Sequence, residues 1–152
     1  MDAIRRIMVA LDFSEISKHL VRYALALARK LDAEVHLVNV INQRDIDAIH
    51  AVSKFSSAYT VPDYIEVRRE DRLAEMLAIL SELDAAPRTV GRHVKTGIPY
   101  EALTDTIKEM DIDLVIMGTR GRGQFAGMLF GSTAARMLSK CPVPLLTLRN
   151  DA

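Results

Sequence analysis

Residues 112–132, IDLVIMGTRGRGQFAGMLFGS, decide the reading of this chain. The apolar run 112–117 has the length and composition of a strand. It leads into a segment holding Gly118, Gly121, Gly123, Gly127 and Gly131, five of the seven glycines in the chain. Ser132 and Thr133 then stand where they cap a helix running to about Lys140. In a strand, glycine loop and helix in that order, backbone N–H groups approach a ligand closely and the helix N-terminus adds partial positive charge. This is the architecture of an anion cradle. Charge supports it: no acidic residue stands between Asp113 and Asp151, while Arg120, Arg122, Arg136, Lys140 and Arg149 are all basic. Phosphate binding is therefore favoured over a plain surface loop, with Ser132 as side-chain donor to phosphate as well as helix cap.

Outward from this stretch, short apolar runs alternate with segments of helical period. Residues 4–11 read as a first strand, and Ser14 can cap a helix whose stripe is Ile16, Leu20, Ala24, Leu27 and Leu31. Residues 34–41 make a second strand. Residues 42–62 show no clean period and read as a loop with a short helical turn, a mobile cover for a site. Residues 63–83 form a helix through Ile65, Leu73, Leu77 and Leu80, and 89–94 a third strand. Pro99 opens a helix carried on by Leu103, Ile107 and Met110, and residues 143–148 close the chain as a fifth strand. Strands joined by helical crossovers run parallel, so the expected fold is α/β: an open, doubly wound five-stranded parallel sheet with helices on both faces, spanning 1–152 as one domain. Ligands bind such sheets outside the carboxyl ends of the strands, here the loops after strands one, two and four.

Composition narrows the function. With 20 Lys+Arg against 20 Asp+Glu, a general attraction to nucleic acid or to a membrane surface is not expected. One cysteine excludes an internal disulfide and a Cys-based zinc site, and Cys141 reads as a small apolar residue entering a strand. His19, His36, His50 and His93 lack metal-ligand spacing and read as surface or partly packed residues. The first apolar run is too short for a signal peptide, and a cytoplasmic location is expected.

Two phosphate motifs fail. A Walker A loop needs Lys before Ser132, where Gly131 stands. Residues 121–126 fit G-x-G-x-x-A, but no ribose-binding acid follows about 20 residues on. Asp12, at the end of the first strand, can accept hydrogen bonds from adenine or ribose, help hold a metal, or serve the start of the next helix.

Gly118, Gly121, Gly131 and Ser132 stand in the spacing G-x2-G-x9-G-(S/T), and with the first strand, Val40 and the closing Cys141-Pro142-Val143-Pro144 the chain resembles the nucleotide-binding universal stress proteins over nearly its whole length. The resemblance implies an adenine nucleotide-binding protein of the adenine nucleotide alpha hydrolase-like, Rossmann-like kind. By resemblance Asp12 and the backbone of Val40 contact adenine, Ala10 and Met117 line its pocket, and Gly118 and Arg120 lie near ribose and phosphates. Gly121, Gly131, Ser132 and Thr133 hold the triphosphate, with Mg²⁺ or Mn²⁺. Ala10 replaces a proline often found there, and Asn39 stands where many members have His.

The expected function is ATP-dependent regulation under stress, with hydrolysis slow or absent because the glycine loop holds neither a Walker-type Lys nor a water-positioning base. The alternatives are a nucleotide-free interaction module, or a nucleotide-using enzyme akin to the adenylating ligases. The latter carry S-G-G-x-D after the first strand, whereas this chain has Asp12-Phe13-Ser14-Glu15. The resemblance also implies a homodimer through the final strand.

Overall fold

The computed structural model describes residues 2–56, 58–86, 89–120, 127 and 129–149. Its elements are β1 (Arg6–Ala10), α1 (Ser17–Leu31), β2 (Glu34–Asn42), α2 (Gln43–Ser53), α3 (Val61–Glu82), β3 (Val90–Gly97), α4 (Pro99–Glu109), β4 (Leu114–Gly118), α5 (Ser132–Lys140) and β5 (Leu145–Leu148). The strands lie in the order β3-β2-β1-β4-β5, all pairs parallel. The expected open, doubly wound sheet is the fold observed.

Two apolar layers cover the sheet. On one face Leu20, Val21, Ala24 and Ala28 of α1 and Met76 and Leu80 of α3 pack on Ile7, Val9, Leu37 and Ile116. On the other, Leu103 and Ile107 of α4 and Ala134 and Met137 of α5 pack on Met8, Val38, Val115 and Met117. Strand β4 is buried along Leu114–Met117, as a strand sandwiched between two helical layers must be. The strand order reverses between β1 and β4, whose register pairs Ala10 with Met117.

Local chemistry sets the boundaries. At the C-terminus of α1, Asp32 adopts φ 55° and returns its N–H to the Ala28 carbonyl, with Arg29 and Lys30 beside the negative helix end. Helix α3 opens with a reciprocal Thr60–Asp63 capping box and Pro62 in its first turn. Strand β3 ends at Gly97, whose φ of +133° suits glycine, before Pro99 starts α4.

Three expectations are corrected. Ser14 does not cap α1. Asp12 Oδ1 accepts the Ser14 N–H at 3.0 Å and the Ser14 carbonyl accepts the Ser17 N–H, so a turn separates β1 from the helix and Ile16 takes the cap position without a side-chain bond. Much of the stretch after β2 is helix rather than loop: Asn42 caps α2 through the Arg44 N–H, and Ile46 is its one buried residue, which leaves too narrow an apolar stripe to show as a period. Ser132 and Thr133 do not cap α5. Gly131 does, in extended conformation, and they form the first helical positions.

Candidate functional site

At the carboxyl ends of the strands a cleft of about 520 Å³ opens over the switch point. Strand β1 supplies Ala10 and then Leu11 and Asp12; β2 supplies Val40; β4 supplies Met117 and Gly118, followed by Arg120. A single backbone bond brings in the rest. The Gly131 N–H donates to the Thr119 carbonyl at 2.9 Å, and the Thr119 N–H donates to the Leu148 carbonyl at 3.2 Å. Thr119 and Gly131 are thereby held together, and Gly131, Ser132 and Thr133 at the start of α5 line the same cleft as Gly118. Nine of the ten expected site residues therefore share one cavity. Gly121 lies outside the described residues, as does Arg122.

The base of the cleft is tightly braced. The Leu11 N–H donates to the Val38 carbonyl at 2.8 Å, and Asn39 Nδ2 donates to the Leu11 carbonyl at 2.8 Å. Asn39 is 6% exposed, and its Oδ1 meets no partner among the described residues. Phe13, next in the turn, holds φ at 59°, a conformation that costs a bulky residue about 1–3 kcal/mol and persists only where its surroundings impose it. Its ring packs on the α1/α3 layer and lies 5.2 Å below the Arg72 guanidinium.

Sequence reasoning missed part of this wall. Asn42, Arg44 and Asp45 at the start of α2, and Arg72 from α3, also line the cleft. The signal for the first three was Asn42 itself, an N-cap residue at a strand's carboxyl end. Arg72 left no such signal, because it comes from a helix distant in sequence. Conversely, the basic C-terminal segment reaches the cleft less than expected. Among its described residues Arg120 lines it, whereas Arg136 stacks on Tyr100 at 5.0 Å and Lys140 sits in the last turn of α5. The cleft thus takes its positive charge from Arg44, Arg72 and Arg120, on three different segments, against Asp12 and Asp45.

Elsewhere, His36 and His93 pair across β2 and β3, Nδ1 to Nε2 at 3.2 Å. Burial, then the charges of His36 and Lys95, push the His93 pKa down. Burial pushes the Cys141 thiol up, away from the thiolate a nucleophile needs. Among the described residues no group of three or more His, Cys, Asp and Glu side chains is arranged to hold a metal ion, and no helix is long and apolar enough to cross a membrane.

Sheet, switch point and cleft define an open α/β protein of the doubly wound class. Within it the chain belongs to the universal stress protein family, whose model matches residues 3–149. It is 29% identical over 153 aligned positions to a universal stress protein E homolog of Haemophilus influenzae, covering 95% of this chain but 48% of that protein, so the chain spans about half the relative's length. Its fold matches the solved structure of MJ0577, a universal stress protein of Methanocaldococcus jannaschii, with a TM-score of 0.80 at 23% identity over 99% of both chains. It also matches a universal stress protein of Archaeoglobus fulgidus solved in complex with dAMP, at TM-score 0.63 and 20% identity over 96% of this chain and 98% of that one.

Proposed function

We propose that the cleft binds an adenine nucleotide, ATP or its shorter forms, and that the chain acts as a nucleotide-dependent regulatory protein of the stress response. The observation that carries this reading is the Gly131 N–H to Thr119 carbonyl bond, which sets Gly118, the α5 N-terminus and its two hydroxyl residues on one cavity with Arg120. Backbone donors, a helix dipole and a guanidinium are what a phosphate chain requires. Ala10, Met117 and the Val40 backbone offer an apolar slot for the base beside Asp12. The dAMP complex of the Archaeoglobus relative supports the same ligand class.

Mg²⁺ or Mn²⁺ enters this reading as an ion carried on the phosphates rather than in a protein cage. Hydrolysis is slow: among the described residues lining the cleft there is neither Lys nor His, and Asp12 Oδ1 is engaged by the Ser14 N–H. The protein acts in the cytoplasm as a homodimer, the second copy covering β5, which among the described residues has a neighbour on one side only.

Calorimetric titration of nucleotide-stripped protein with Mg-ATP, and with GTP for comparison, tests the reading. Saturation near one ATP per chain, weaker binding of GTP, and loss of binding in Gly131→Leu are expected. Absence of ATP binding to the wild-type protein would place the chain with nucleotide-free interaction modules. Undiminished affinity in Gly131→Leu would remove the glycine loop from the site.

A further inference from the structure

His36 and His93 stand 57 residues apart on neighbouring strands, so they leave no ligand spacing in the sequence. The sheet brings them together. His36 lies opposite Gly91, and His93 lies opposite Val38, whose side chain packs on the α4 face; both rings therefore stand on that face, with His36 Nδ1 3.2 Å from His93 Nε2. Two nitrogens bound to one tetrahedral Zn²⁺ at about 2.0–2.1 Å stand about 3.3 Å apart. A hydrogen bond between the rings accounts for the same distance, but Gly91 adds a second observation. A Cβ there would stand 2.8 Å from His93 Nε2 and closer still to His36 Nδ1, and the next atom it would meet is His36 Cε1 at 3.1 Å. The point beside Gly91 thus has one nitrogen of each ring as its nearest neighbours and is open to both. Glycine inside a strand marks such places of close approach.

We propose that His36 and His93 form a two-imidazole site for a divalent transition metal of the Zn²⁺ class, held beside Gly91 with water completing its coordination. Imidazole nitrogen suits Zn²⁺, Cu²⁺ and Ni²⁺, whereas Mg²⁺ and Ca²⁺ take oxygen ligands. Glu34 stands where an outer partner belongs. Its Oε2 lies 3.5 Å from His36 Nε2, the ring's other nitrogen, which is buried and makes no hydrogen bond among the described residues. A carboxylate on that side favours the proton on Nε2 and leaves Nδ1 its lone pair for a metal; His93 offers Nε2 with its own proton on Nδ1. The neighbouring cations are met by carboxylates, Arg6 by Glu34 and Asp111 and Lys95 by Glu109 at 3.0 Å. Among the described residues β3 is an outer strand, and the His36 side chain is 16% exposed, so an ion has a way in from the sheet edge. The site does not depend on the nucleotide reading: His36 precedes Val40 by four residues on β2, about 13 Å along the strand from the cleft. A bound ion ties the outer strand to β2 and stabilises the fold according to its occupancy.

Titration of the chelator-stripped, nucleotide-free chain with zinc chloride tests the proposal, followed by calorimetry and by the imidazole NMR signals of its histidines. One Zn²⁺ per chain is expected, moving the signals of His36 and His93 and leaving those of His19 and His50 in place. His93→Gln removes a ligand and Gly91→Ala fills the coordination point, so each should weaken binding by about tenfold or more, while excess Mg²⁺ should leave it unchanged. Circular dichroism confirms that the variants fold, and His93→Gln adds no bulk should Gly91→Ala fail to do so. Wild-type affinity in His93→Gln, shifts at His19 or His50 instead, loss of binding in Cys141→Ser, or displacement by Mg²⁺ would each overturn the site. A wild-type chain that binds no Zn²⁺ would overturn it outright and leave the pair a hydrogen bond alone.

Discussion

Replacing Gly91 by Ala tests the packing logic of the sheet at one atom. Gly91 sits on β3 opposite His36, in a register that also pairs Val38 with His93. A methyl there would fall on His36 Nδ1, far inside any real contact, and would stand 2.8 Å from His93 Nε2. Both rings would have to move, and the 3.2 Å bond joining them would break. Overpacking of this kind costs about 1–3 kcal/mol, and the lost hydrogen bond about 1 kcal/mol more. Removing a strand glycine returns about 0.5–1 kcal/mol. The net is a loss of about 1–3.5 kcal/mol, or about 2–14 °C in melting temperature for a chain of this size. Thermal melts followed by circular dichroism read it. His36→Ala opens the space the methyl needs, so the double variant should be more stable than the two single losses predict. A Gly91→Ala protein as stable as wild type, or single effects that add within about 0.5 kcal/mol, would refute the reasoning.

The same pair makes stability depend on pH. The His93 pKa lies below its ordinary 6.5 in the folded protein, chiefly through burial and then through the charges of His36 and Lys95, with Glu34 at 3.5 Å from His36 Nε2 and Glu109 paired to Lys95. The unfolded chain thus binds the proton more readily. The contribution of His93 is complete above pH 6.5 and is lost as pH falls from there through the folded value. Denaturant melts across that window should show stability falling with acid and a shallower fall in His93→Gln; parallel curves would count against the assignment. Asp113 adds a second acid limb below its ordinary 3.8, since the Arg5 and Arg6 backbone N–H groups hold its pKa down. Light scattering tests the β5 interface: twice the chain mass at micromolar concentration is expected, a single-chain mass speaks against it, and a Pro in place of Leu146 should split the dimer.

The fold was legible because alternation of strand and helix is written in local composition. Residues 112–117 and 34–41 are apolar runs of strand length, and a parallel sheet with two-sided cover is the arrangement that buries them. The helix after β2 was not legible for an equally local reason: with Ile46 its one buried residue, α2 owes its position to its cap and to its seat beside α3 more than to an amphipathic stripe. The glycine wall of the cleft was legible because backbone functions are performed by glycine, and glycines leave a spacing. The opposite wall was less so. Asn42, a cap at a strand end, is the one signal for that wall and covers Arg44 and Asp45 only by position, and Arg72 reaches the cleft only through the packing of α3 on the sheet.

That difference separates the two walls of the cleft. The wall proposed for phosphate is built from main-chain geometry: the Gly131 N–H to Thr119 carbonyl bond, the extended backbone at Gly131 and the helix that starts at Ser132. Such a cradle accepts any polyphosphate of the right length and distinguishes bases poorly. The opposite wall is built from side chains anchored in the core. Asn39 ties β2 to Leu11, the Leu11 N–H ties back to Val38, and Phe13 ties the same turn to Arg72 and through it to Glu75. Substitutions at these positions leave the glycine spacing untouched while reshaping that wall. The glycine spacing therefore marks only the backbone half of the cleft; Asn39 and Arg72, which no local motif marks, help shape the other half.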